Sequence, residues 1–120
     1  MKQIISTVSF ITVLFLTSCT STSPDDLTEE LAAGTVVKYD TQVAPIIQSQ
    51  CLSCHNGPNA NGGLRLENFT QVRNSAQSGS LIDRITRDAS DPLVMPLGGR
   101  LPQATINIIL QWQADGFLEN

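Results

Sequence analysis

The hydrophobic pattern divides the chain into one nearly continuous apolar run and several amphipathic stretches. The run spans Ile4 to Leu16, thirteen residues interrupted by Ser and Thr, and follows the single positive charge of Lys2. A basic start and an apolar segment too short to span a bilayer as a permanent helix predict an export signal. Further on, Val43, Ile46 and Ile47 fall on one face by the three-and-four spacing of a helix. That helix is expected to begin at Tyr39-Asp40-Thr41, with Asp40 or Thr41 as N-cap and Pro45 in the first turn, where a missing amide costs little. A second short helix is predicted over Glu67 to Asn74, turning Phe69 and Val72 inward. A third starts with Ser80 as N-cap and carries Leu81, Ile82 and Ile85, with Asp83 in its first turn and Arg84 and Arg87 near its end. The last has Pro102 at its first helical position, Ile106, Ile109, Leu110 and Gln113 on one face, Ile108 and Trp112 widening that face, and Gly116 just past its end. About fourteen residues make it a rod of roughly 21 Å. No run alternates well enough to be a strand, so the fold class is all-α, a small domain of three to five helices.

Between these stretches lie two loops dense in turn formers, Asn56 to Gly63 and Asp91 to Gly99. Gly62 and Gly63 would let the backbone approach a flat ring closely. From Thr20 to Val37 the composition shifts to Ser, Thr, Pro, Asp and Glu, which predicts a flexible tether. The domains expected are therefore a signal at 1–18, a tether at 19–37 and a folded unit at 38–120. Charge follows the same division. The chain after Ser18 has six basic and eleven acidic residues, whereas from Lys38 onward the count is six against seven, so most of the excess lies in the tether. The folded unit has no strong field to steer a partner, and nucleic-acid binding is not indicated.

Candidate chemistry centres on Cys51-Leu52-Ser53-Cys54-His55. The CxxCH spacing reads as a c-type haem attachment site: two thiols form thioethers to the two vinyl groups on one haem edge, and the following imidazole is carried under the iron. His55 is the only histidine in the chain. A zinc site would need a second ligand pair, which the sequence lacks. A redox dithiol would sit beside a βαβ pattern at a helix start, and a structural disulfide would leave His55 without a purpose. The third cysteine, Cys19, ends the tetrapeptide Leu16-Thr17-Ser18-Cys19, which resembles the lipobox of bacterial lipoproteins. An ordinary signal peptide with an unpaired exported thiol is the plain alternative. With Cys19 lipidated, every cysteine is accounted for.

Two further residues are drawn to the haem. Met95, the sole methionine once a signal is removed, lies in a loop stiffened by Pro92 and Pro96 rather than on a helical face. A core gap-filler is the ordinary role for such a residue, but a thioether is also a known sixth ligand opposite histidine. Arg65, between Leu64 and Leu66, is placed for a haem propionate or is a solvated surface cation. A unit of 83 residues with few aromatics would gain much of its core from a covalently held porphyrin.

From about Tyr39 to Phe117 the chain resembles a class I monohaem cytochrome c of the planctomycete type. The residues carrying the likeness are Val43 to Ile47 before the CxxCH, Gly63-Leu64-Arg65-Leu66, Ser80-Leu81-Ile82 with Arg84-Ile85, Met95-Pro96, and Leu110 to Gly116. It departs from the family in opening its last helix with Pro102-Gln103 rather than acidic residues. The resemblance implies helices wrapped around one haem c, thioethers at Cys51 and Cys54, and His55 and Met95 as axial ligands. It also implies a one-electron carrier rather than an enzyme. The competing function is a haem enzyme or gas sensor with a displaceable sixth ligand, which needs an open iron position and polar distal groups. Expected partners are redox proteins, membrane-bound or periplasmic. The location expected is that of an exported lipoprotein, anchored to a membrane and facing the periplasm or the cell surface.

Overall fold

The structure, a computed structural model, describes residues 34–120. The predicted signal, the lipobox-like segment with Cys19 and most of the tether lie outside the described residues. The chain is all-α as expected, with no strand among the described residues. A π-helical turn over Tyr39–Val43 leads into α1 (Ala44–Gln50), a 3-10 turn follows at Asn61–Gly63, and then come α2 (Phe69–Gln77), α3 (Ser80–Thr86) and α4 (Gln103–Ala114).

The first helix begins earlier than its apolar spacing indicates, with Lys38 before it and no side-chain cap at Asp40 or Thr41. Proline explains the wide turn. In an α-helix the ring of Pro45 would crowd the carbonyl four residues back, and here the Ala44 amide reaches five residues back to the Tyr39 carbonyl. Tyr39, Val43 and Ile47 form one buried stripe at intervals of four. Cys51 is the next position on that stripe, and it packs against the core half-buried.

α2 is capped by Asn68, whose side-chain oxygen accepts the Gln71 amide at 3.0 Å. It buries Val72 and Ala76. Ser80 is not the cap of α3. Gly79, at φ 88°, reverses the chain and takes the N-cap position. Ser80 is left inside the first turn, where its hydroxyl turns back to the Ser75 hydroxyl at 3.1 Å and the Ser75 carbonyl at 3.3 Å. α3 packs against α2 and α4, and α4 packs against the π turn.

α4 is two residues shorter than the spacing predicts, with Pro102 at the N-cap and Asp115 at the C-cap. Its buried face is Ile106, Ile109 and Trp112, whereas Gln113 is exposed and Leu110 half-buried. The helix ends in a Schellman turn: the Gly116 amide reaches the Gln113 carbonyl at 3.1 Å, and the Phe117 amide reaches the Trp112 carbonyl at 2.9 Å. Gly116 has φ 85°, as its predicted position past the helix requires. Phe117 then stacks edge-on against Trp112 with ring centroids 4.9 Å apart.

Trp112 is fully buried, and its indole N–H donates to the Leu118 carbonyl at 2.8 Å. Tyr39 and Phe69 complete an aromatic cluster around it. The core is thus made by protein side chains to a greater degree than the small size and few aromatics indicate. Val37, the last tether residue by composition, is fully buried and its amide donates to Asp115 Oδ2 at 2.7 Å. The amides of Tyr39 and Asp40 go to the carbonyls of Leu118 and Glu119. The chain end is thereby fastened alongside the π turn.

Candidate haem-binding site

The helical path does not stop at Gln50. The Cys51 amide still reaches the Ile47 carbonyl at 2.9 Å, and the amides of Cys54 and His55 both turn back to the Cys51 carbonyl, at 3.2 and 3.0 Å. This extra turn sets Cys51 and Cys54 three residues apart on neighbouring positions, with His55 immediately after. Cys51 sits at the margin of the core and Cys54 is exposed. Both thiols are free. Burial pushes the Cys51 thiol up to about 11, so it is protonated at neutral pH. A redox-active dithiol works through a lowered thiol pKa, and Cys51 is shifted the other way.

The loop after His55 returns to cover it. The Asn61 amide ties the loop to the Cys54 carbonyl at 2.9 Å, and the Leu66 amide donates to the His55 carbonyl at 2.9 Å. Leu66 is buried and fixes this returning segment to the core. Two residues earlier, the Leu64 carbonyl lies 3.0 Å from His55 Nδ1. A carbonyl only accepts, so Nδ1 carries the proton, which in the neutral ring leaves the lone pair on Nε2. That is the tautomer and the partner typical of a metal-binding imidazole. At Gly62 and Gly63, both with positive φ, the position a side chain would take meets nothing within 4 Å.

Glu67 closes the same loop from outside. Its Oε1 accepts the Gly57 amide at 3.1 Å, and its Oε2 takes Arg65. The Gly57 amide and then Arg65 hold the carboxyl below its ordinary range. Arg65, placed by the sequence for a haem propionate, is half exposed and turns both Nε and Nη2 onto Glu67 at 2.6 Å.

Met95 arrives from the other side of the sequence. It is half-buried, follows the buried Val94, and its amide donates to the Arg84 carbonyl at 3.1 Å. The structure therefore ties Met95 to α3, while hydrogen bonds join Cys51, Cys54, His55 and Leu64 into one unit. Leu93 and Leu97, on either side of Met95, are exposed.

Among the described residues no three or more His, Cys, Asp or Glu side chains gather as a metal cluster. The residues at the CxxCH instead fit a haem held by its edge: two reduced thiols on one turn, and a histidine with its Nδ1 proton committed to a backbone carbonyl. Sequence reasoning identified the side chains but missed the Leu64 carbonyl and Glu67. A backbone oxygen leaves no mark in the residue pattern. The Glu67 bond depends on how the loop folds back.

A family model described as Planctomycete cytochrome C matches residues 51–96, a segment that opens at Cys51 and closes one residue after Met95. No curated protein and no solved structure matches the chain.

Proposed function

We propose, from the match of residues 51–96 to the Planctomycete cytochrome C family model, that this chain is a monohaem c-type cytochrome that carries single electrons. The observation that supports this best is the 3.0 Å contact between His55 Nδ1 and the Leu64 carbonyl, one residue beyond a pair of reduced cysteines. Cys51 and Cys54 hold the haem through thioethers. His55 Nε2 is the proximal ligand and the Met95 thioether the distal one. The Leu64 carbonyl fixes the imidazole plane and strengthens its donor nitrogen. The buried Leu66 keeps that carbonyl in place. When bound, the haem supplies an iron that alternates between ferrous and ferric states, and with both axial positions held by side chains no site is open to a substrate. Methionine ligation raises the potential relative to a second imidazole.

Cys19 carries a lipid in this reading, and the residues between it and Val37, which itself packs into the core, are the leash. The protein is exported and stays at a membrane, facing the periplasm or the cell surface. Confinement by a short leash raises its effective concentration toward membrane-bound and periplasmic redox partners.

The test is an optical spectrum of the matured, reduced protein with and without carbon monoxide. The carrier keeps its spectrum unchanged, while rapid CO binding would show an open sixth position and overturn the ligand assignment. In the same preparation, haem should resist acid-acetone extraction in the wild type and be lost from the Cys51→Ala/Cys54→Ala variant.

A further inference from the structure

The loop carrying Met95 leaves α3 at Arg87 and returns at Arg100, and Arg87 holds both sides of it. On the outgoing side, Arg87 Nη1 donates to Asp91 Oδ2 at 2.9 Å. Its Nη2 and Nε grip Asp83, one helical turn back, at 2.9 and 3.0 Å. On the returning side, Arg100 Nε donates to the Arg87 carbonyl at 3.0 Å. The Arg87 side chain is 28% exposed, well below the 52% of Asp83.

Asp91 passes this hold on to the methionine. Its Oδ1 accepts the Leu93 amide at 2.7 Å and its carbonyl accepts the Val94 amide at 3.0 Å. The next amide, that of Met95, goes to Arg84 on α3, and Arg84 Nη1 donates to the Leu93 carbonyl at 3.4 Å. Three consecutive amides are thus bonded to groups on Asp91 or Arg84.

We infer that Arg87 is a positioning residue for Met95: it closes the neck of the loop at residues 88–99 and so opposes release of the methionine from the iron. The inference rests on the proposed role of Met95 as distal ligand. A thioether is a soft, neutral ligand whose hold on the iron depends on where the chain presents it. An outside ligand binds only when Met95 is off, so its apparent affinity follows the population of the open loop. One exposed ion pair would change that population little. Here a single guanidinium joins α3 to the loop through two carboxylates, and the same residue's carbonyl accepts Arg100 Nε on the returning side of the loop.

The test is imidazole titration of the ferric holoprotein, read optically, for the wild type, Arg87→Gln, Arg87→Lys and Met95→Ala. Arg87→Gln should bind imidazole about fivefold more tightly than wild type at unchanged haem content. Arg87→Lys keeps the charge but not the fork, and should fall between the two. Should Arg87→Gln fail to accumulate, Asp91→Asn serves in its place, because it retains an acceptor for the Leu93 amide and removes the ion pair; the same tightening is expected. Wild-type affinity in Arg87→Gln or Asp91→Asn, with much tighter binding in Met95→Ala, overturns the neck and leaves the distal ligand intact. Equal affinity in Met95→Ala and wild type overturns the ligand assignment itself, and the neck with it.

Discussion

His55 commits its Nδ1 proton to a backbone carbonyl nine residues further along the chain. At the residue scale, the site is a set of such small commitments. Cys51 is held at the core margin and protonated, Cys54 faces solvent, and Glu67 braces the loop between them and Leu64. The Glu67 carboxyl is depressed first by the Gly57 amide and then by Arg65. The folded protein therefore favours the ionised form more than the unfolded chain does. Stability from this source is fully present above the ordinary carboxylate pKa and is lost as pH falls through the lower folded value. Glu67→Gln should be less stable than wild type at neutral pH, and the gap should be smaller at about pH 3, because the carboxylate charge is lost as pH falls toward and through the lowered folded value. Urea midpoints at the two pH values check this; a gap that persists undiminished in acid would mean the carboxylate charge is not what braces the loop.

At the scale of elements, one stripe organises the N-terminal half: Tyr39, Val43, Ile47 and then Cys51 follow each other at intervals of four. The helix that fills the core is also the one that delivers the first thiol. Most of the element pattern is visible in the sequence, because apolar residues at helical spacing must share a face. The errors fall at the ends, where one hydrogen bond decides. Ser80 looks like a cap, but Gly79 with its left-handed backbone takes that place. Asn68 is a real cap that the apolar pattern does not mark. On α4 the buried face runs through Ile106, Ile109 and Trp112 and excludes Gln113. Ile109, 1% exposed, lies at the middle of that face. Ile109→Ala should cost about 2–5 kcal/mol, the usual range for truncating a buried isoleucine, read as a shift in chemical denaturation. Loss of less than about 1 kcal/mol would show that the site is more exposed than its packing indicates.

For the whole molecule, the two ends of the described chain are fastened together. Val37 lies buried beside α4 with its amide on Asp115, and Tyr39 and Asp40 pair with the backbone near Asn120. Whatever precedes Val37 therefore joins the folded unit where its last residues lie. Because the described unit closes on itself from Val37 onward, the proposed anchor at Cys19 should decide location without affecting that unit. Cys19→Ala should move the protein from the detergent phase to the aqueous phase with its haem spectrum unchanged, and unaltered partitioning would dispose of the lipid. The aromatic cluster of Tyr39, Phe69, Trp112 and Phe117 gives the unit a core of protein side chains.

The sequence alone determined the chemistry on offer and the helical class. A CxxCH with a lone histidine, and apolar residues spaced by three and four, are local facts that need no folded context. The tertiary structure decided how those groups are held: which imidazole nitrogen carries the proton, which thiol is buried, where Arg65 turns and what grips the Met95 loop. Each of these depends on contacts between residues brought together by folding, and hydrogen bonds to backbone atoms form only once two distant segments have met.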